Sequence, residues 1–207
     1  MILVTGATGQ FGTSAIDFLL KKGISANTIV ALVREEEKAA MLKDKGIKVR
    51  MGDYDDYASL VNAFTGVEKV LFISGSDIAN RLSQHQNTIN AAKEAGVQHL
   101  IYTSFQRNNE TETSPLWLVA QSHIQTEKWL KESGMKYTLL RNNLYMDFLP
   151  AFIGENVLET GGIYLPAGQG KVSAVLRSEM AEAAANILTT NGHEGNEYNF
   201  SNTEAVS

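Results

Sequence analysis

From the second residue onward, short apolar runs alternate with amphipathic stretches, the pattern of strands and helices taken in turn on a parallel sheet. Ile2–Thr5 reads as a buried strand, and Gln10–Lys22 as a helix carrying Ile16, Leu19 and Leu20 on one face. Five more strands are expected at Thr28–Val33, Ile47–Arg50, Lys69–Ile73, His99–Thr103 and Lys136–Arg141. Helices are expected between them over Glu36–Lys45, Tyr57–Phe64, Ser83–Ala95 and Ile124–Glu132. The polar stretch Gln106–Ser114 reads as a long loop.

With a right-handed crossover at each step, these units predict an α/β fold with a Rossmann-like doubly wound parallel sheet, in the order 3-2-1-4-5-6. Beyond Arg141 the pattern loosens, leaving a helix near Ser178–Leu188 and a strand near Glu197–Phe200. Residues 1–150 are therefore expected to form a dinucleotide-binding domain. Residues 151–207 are expected to begin a substrate-binding lobe packed on it.

Composition narrows the function classes. Eighteen Lys and Arg against 23 Asp and Glu leave a net charge of −5, without the basic excess of a nucleic-acid binder. With no cysteine there is no disulfide, thiolate zinc site or cysteine nucleophile, which fits a reducing cytoplasm. No apolar run reaches membrane-span length, and the first residues lack the basic start of a signal peptide, so a cytoplasmic location is expected. His85, His99 and His193 are scattered without metal-ligand spacing, and no metal site is expected. A serine nucleophile elbow and a Walker-type phosphate loop are also missing.

The richest motif is Gly6-Ala7-Thr8-Gly9-Gln10-Phe11-Gly12, between the first strand and the first helix. Gly6 suits the tight turn, and Gly9 lets a pyrophosphate approach the backbone. Gly12 would let the helix pack near the sheet. Free N–H groups at the helix start then face the phosphates, aided by the helix dipole. At the end of the second strand, where an acid would bind the ribose hydroxyls of NAD, stands Arg34. A planar guanidinium suits a 2′-phosphate, so NADPH is favoured over NADH. The alternative is that Arg34 merely pairs with Glu35-Glu36-Glu37. Ser74-Gly75-Ser76 closes the fourth strand, where the backbone must pass near the ribose and nicotinamide.

Thr5 with the three spaced glycines resembles the extended and atypical branches of the short-chain dehydrogenase/reductase superfamily. The resemblance implies an adenine contact for Asp53, in Gly52-Asp53-Tyr54. It also exposes a gap. Such enzymes place a Tyr-x-x-x-Lys pair on the helix after strand five, and matching Glu127 to the helix glutamate puts Val119 and His123 at those positions. Tyr102 lies within a strand with no lysine four residues later and is not read as a substitute. Reduction of a simple ketone makes a strongly basic alkoxide that needs a positioned acid. A quinone yields a phenolate-type product that water can protonate, and a carbocationic dye needs no proton.

Further segments sharpen the likeness: Thr103-Ser104, Ser114-Pro115-Leu116, His123–Glu127, Leu139–Asp147, Pro166–Lys171 and Arg177–Ala181. Together they resemble the NmrA-like atypical short-chain reductases, particularly the branch that reduces quinones and cationic dyes without flavin. That likeness implies an NADPH-dependent reductase, with Asn142 and Asn143 beside the nicotinamide and with Asn143 and Tyr145 orienting the acceptor. His123 is a candidate proton donor or nicotinamide-side contact; packing is the plainer alternative for it and for Tyr145. Phe105, Gln106 and Trp117 are candidates for shaping a lid. The rival reading is a non-catalytic redox sensor, since NmrA-like proteins include dinucleotide-binding regulators that also lack the Tyr-Lys pair. A weaker one is reduction of activated alkenes, whose enzymes carry a lysine where this chain has His123. Relatives of this kind usually continue well past the final strand, so the substrate lobe is expected to be incomplete.

Overall fold

The computed structural model describes residues 1–154, 156–164 and 168–206. In chain order its elements are β1 (Ile2–Val4), α1 (Gln10–Lys21), β2 (Ile29–Val33), α2 (Ala40–Asp44), β3 (Lys48–Met51), α3 (Tyr57–Phe64) and β4 (Lys69–Phe72). There follow α4 (Arg81–Glu94), β5 (His99–Phe105), α5 (Trp117–Glu132), β6 (Lys136–Asn142), α6 (Leu149–Ile153), α7 (Val157–Thr160), α8 (Arg177–Thr189) and β7 (Glu197–Phe200). The strands lie in the order β3-β2-β1-β4-β5-β6-β7, and every pair is parallel. The expected order holds, extended by β7 at the β6 edge.

Strand alternation divides the core into two layers. Val4, Ala31, Val33, Leu71, Ile101 and Leu140 face α1 and α8, where Ile16, Leu19, Ala184 and Leu188 complete one apolar cluster. Their neighbours Leu3, Val30, Val70, Phe72, Leu100, Tyr102 and Leu139 face the opposite way, onto Leu60, Phe64, Ile89 and Leu130 of α3, α4 and α5. All five residues of β2 are buried, as expected of a central parallel strand covered on both faces. Lys69 Nζ donates to the carbonyl of Leu188 at 2.8 Å, satisfying the C-terminal end of α8.

Several boundaries differ from expectation. The segment expected as one helix over Glu36–Lys45 begins as a 3-10 turn, Glu36–Ala39, before α2. Helix α5 starts at Trp117, a full two turns before the apolar period becomes legible. Two short helices, α6 and α7, occupy the stretch where no element was expected. Pro166 and Ala167 of the segment Pro166–Lys171 lie outside the described residues.

Candidate active site

A cleft of about 370 Å³ opens at the C-terminal ends of β1 to β4. The sheet reverses direction of growth between β1 and β4, the switch point where doubly wound folds bind ligands. Gly6, Thr8 and Gly9 line the cleft from β1, Leu32 to Arg34 from β2, Gly52 to Asp55 from β3, and Ile73 to Asp77 from β4. Gln84 reaches in from α4. Eight residues singled out in the sequence thus meet there: Gly6, Thr8, Gly9, Arg34, Asp53, Ser74, Gly75 and Ser76.

The glycine loop is built for close approach. Gly6 has φ +55°, a left-handed conformation that side chains disfavour, and the N–H of Gly9 donates back to its carbonyl at 3.0 Å. At Gly12 a Cβ would stand 2.3 Å from the Gly6 carbonyl oxygen and 2.8 Å from Ala7 Cα. Gly12 therefore lets α1 pack on its own preceding loop, rather than on the sheet as the sequence suggested. Ala7, Phe11 and Gly12 are buried and Gln10 is exposed, and none of the four is part of the cleft lining.

The start of α1 is left open. Its N-cap, Gly9, has no side-chain cap, and its first turn has no acidic residue. The N–H groups of Gln10, Phe11 and Gly12 have no intrahelical acceptor by helix geometry. That is a ready site for a phosphate. Two of the three acids beside Arg34 are taken by lysines: Lys38 Nζ lies 2.7 Å from Glu35 and Lys43 Nζ 2.5 Å from Glu36. Among the described residues the Arg34 side chain pairs with no carboxylate, which leaves the guanidinium on the cleft uncommitted. An anion carried on a ribose fits it. The residues present accordingly fit a phosphorylated dinucleotide.

The walls are tied together by polar side chains that the sequence reading did not select. The Tyr54 hydroxyl lies 2.5 Å from Thr5 Oγ1 and 2.8 Å from the Ile73 carbonyl, joining β3 to β1 and β4; burial pushes this phenol well above its ordinary range. Gln84 Nε2 donates to Asp55 at 2.9 Å across the cleft. Gly75 is clamped from α4 on both sides: its N–H donates to His85 Nε2 at 3.1 Å, and its carbonyl accepts from Arg81 Nε at 2.7 Å. Polar positions on an amphipathic helix read as solvated, so nothing local marked Arg81, Gln84 or His85 as buried.

Asn142, Asn143 and Tyr145 form a second group at the end of β6, outside the cleft lining. Asn142 is 3% exposed; its Nδ2 donates to the Tyr145 hydroxyl at 3.1 Å, while its Oδ1 is buried without a partner. Asn143 Nδ2 donates to Gln106 at 3.1 Å, joining the ends of β5 and β6. The Tyr145 ring faces Phe11 of α1 at 6.4 Å between centroids and carries the Arg177 guanidinium 4.6 Å above it. Burial raises the Tyr145 phenol, against the hydrogen bond from Asn142 and the charge of Arg177.

His123 is buried on α5, with Nδ1 2.6 Å from the Tyr102 hydroxyl and its ring 6.1 Å from that of Phe105. Burial, then the charges of Arg81 and Arg107, lower its pKa to about 3, so the imidazole is neutral. Four residues further on, Glu127 takes both nitrogens of an Arg107 fork at 2.9 Å, Arg141 Nη2 at 2.7 Å and the Ser104 hydroxyl at 2.5 Å. Burial opposes its charge, but these bonds outweigh it and hold the carboxyl at about 2. The network fixes the start of the Gln106–Ser114 loop against α5 and β6.

A model of the NmrA-like family matches residues 1–198. The chain belongs to that family. Quinone oxidoreductase 2 of Escherichia coli (strain K12) is 46% identical over 205 residues, 99% of this chain and 70% of its own. The crystal structure of NADPH-dependent quinone oxidoreductase from E. coli complexed with NADPH has a TM-score of 0.88 at 45% identity, over 99% of this chain and 70% of that one. Citrobacter sp. triphenylmethane reductase complexed with NADP(H) gives 0.91 at 44%, over 100% and 72%. The chain spans about 70% of the length of the E. coli relative. Among the described residues, no helix is long and apolar enough to cross a membrane.

Proposed function

We propose that this protein is an NADPH-dependent reductase that passes hydride to a quinone or similar electrophilic acceptor, without flavin and without a Tyr-Lys pair. The observation that carries this reading is the 45% identity to an NADPH-dependent quinone oxidoreductase over 99% of the chain, with the fold shared throughout. The bound dinucleotide supplies the hydride.

In this reading the chain's own residues bind and orient. The N–H groups at the start of α1 hold the pyrophosphate, Arg34 the 2′-phosphate, and Asp53 the adenosine end. The Ser74–Ser76 backbone, clamped by Arg81 and His85, faces the ribose and nicotinamide. Asn142, with its buried orphan oxygen, and Asn143 stand beside the nicotinamide, while Asn143 and Tyr145 orient the acceptor. Holding two rings in register supplies much of the rate in such a transfer. Exposed Phe152, Leu158 and Tyr164 support reading residues 151–207 as the start of a substrate-binding lobe.

The test is to mix purified protein with NADPH and a panel of quinones and cationic dyes, following loss of the reduced cofactor. Turnover is expected on at least one acceptor. Tight NADPH binding with no turnover on any of them would replace the reductase reading with a redox sensor.

A further inference from the structure

The hydrogen bonds behind the cleft fix where His85 carries its proton and bear on where His123 carries its own. A backbone N–H can only donate, so the 3.1 Å contact from Gly75 makes His85 Nε2 an acceptor. A neutral His85 then carries its proton on Nδ1, which donates to Thr126 Oγ1 at 2.9 Å. The Thr126 hydroxyl in turn donates to the Ser122 carbonyl at 2.6 Å. Tyr102 also lies 3.4 Å from His85 Nδ1, but that nitrogen already bears a proton and cannot accept from it. The shortest contact of the phenol is with His123 Nδ1 at 2.6 Å, where a donating hydroxyl meets an accepting nitrogen. Burial keeps Tyr102 protonated and His123 neutral, consistent with this assignment.

The consequence falls on the far side of the His123 ring. With Nδ1 accepting, the single proton of the neutral imidazole sits on Nε2. That atom bonds to no other described residue. The His123 ring lies 6.1 Å from that of Phe105, the last residue of β5, whose chain neighbour Gln106 accepts from Asn143.

We infer that Tyr102 is a positioning residue that presents His123 as a fixed neutral Nε2–H donor to the oxygen of a carbonyl-type acceptor. The inference rests on the reductase reading and specifies its acceptor chemistry. When hydride and its two electrons leave the nicotinamide ring for a quinone, one C–H bond breaks there and one bond to hydrogen forms on the acceptor. A hydroquinone monoanion results, with its charge on oxygen. A hydrogen bond from a preoriented neutral imidazole stabilises that charge as it develops. His123 keeps its own proton, because a neutral imidazole is a far weaker acid than a hydroquinone; water supplies the second proton. A triphenylmethane cation has no such oxygen and gains nothing from this donor.

Two measurements test the inference. The first is nitrogen NMR of the cofactor-free protein labelled with 15N-histidine, with signals assigned by single histidine substitutions. A protonated Nε2 and unprotonated Nδ1 are expected at His123, shifting toward a mixture of tautomers in Tyr102→Phe. The second is the ratio of quinone to cationic-dye turnover. Tyr102→Phe and His123→Leu should lower that ratio about tenfold, the worth of one lost hydrogen bond. His123→Gln, which still offers an N–H donor, should keep more of it. A proton on Nδ1 of His123, or equal losses on both acceptors, would overturn the inference. Absence of all turnover in the unaltered protein would instead remove the reductase reading, leaving the tautomer result to stand or fall separately.

Discussion

Gly12 and the carbonyl of Gly6 are so close that a single methyl on Gly12 would stand 2.3 Å from that oxygen. The contact folds the loop back on itself and aims the start of α1 into the cleft. Gly12→Ala must push the loop and helix apart. Loss of about 1–3 kcal/mol in urea unfolding is expected, the usual range for overpacking. NADPH affinity, measured by titration calorimetry, should fall at least tenfold. Unaltered affinity would show that the loop does not hold the phosphates.

Arg34 carries the choice between cofactors. Arg34→Ala should weaken NADPH by about 10- to 100-fold, the worth of a charge-assisted contact, and NADH by much less. Equal losses for the two dinucleotides would reject a 2′-phosphate role.

The buried histidines set an acid limit on stability. Burial, with the neighbouring His123 and Arg81 charges, lowers His85 to about 2; His123 is lowered to about 3. As pH falls below the unfolded value of about 6.5, the unfolded chain takes up protons that the folded chain refuses. Stability present above that pH is therefore lost on acidification, by up to about 1.4 kcal/mol per pH unit for each histidine. Glu127, held at about 2 against an ordinary 4.5, adds its own loss between those values. Urea midpoints should hold from pH 7.5 to about 6.5 and fall from there to pH 4.5, and His123→Gln should flatten that fall. Equal midpoints at pH 7 and pH 5 would contradict buried neutral histidines.

Glu127 is the only carboxylate bonded to both Arg107 and Arg141 among the described residues. Glu127→Ala leaves Arg107 only the exposed Glu110 and Arg141 only Glu197, and should cost about 3 kcal/mol, the low end for a broken buried pair. Arg141→Ala should cost less, because its side chain is 25% exposed and Arg107 still serves the carboxylate. Urea unfolding of the two variants gives the comparison; equal costs would mean that the network is not centred on Glu127.

The legible parts of the fold are those in which local pattern and burial agree. Helix α3 ends where the apolar spacing ends, and its N-cap is visible as Asp56, which accepts from the Ser59 N–H at 3.1 Å. The glycine loop, Arg34 and the strand order follow from the βα alternation for the same reason. Helices α6 and α7 were hidden because Phe152 and Leu158 stay exposed, so no amphipathic period marks them. Arg81, Gln84 and His85 were hidden by the opposite mismatch, polar groups buried by partners distant in the chain. Tyr102 was passed over because it sits in a strand. Yet strand parity places it on the face that packs against α5, and that signal was available beforehand.

The most direct test of hydride transfer uses NADPH deuterated at the transferring position of nicotinamide C4 and a triphenylmethane cation. The bond formed at the central carbon does not exchange with water. Mass spectrometry should find one deuterium there, in a reaction with protein and dinucleotide but no added flavin. Dye reduced without deuterium, or no reduced product from protein that demonstrably binds NADPH, would contradict direct transfer by this chain.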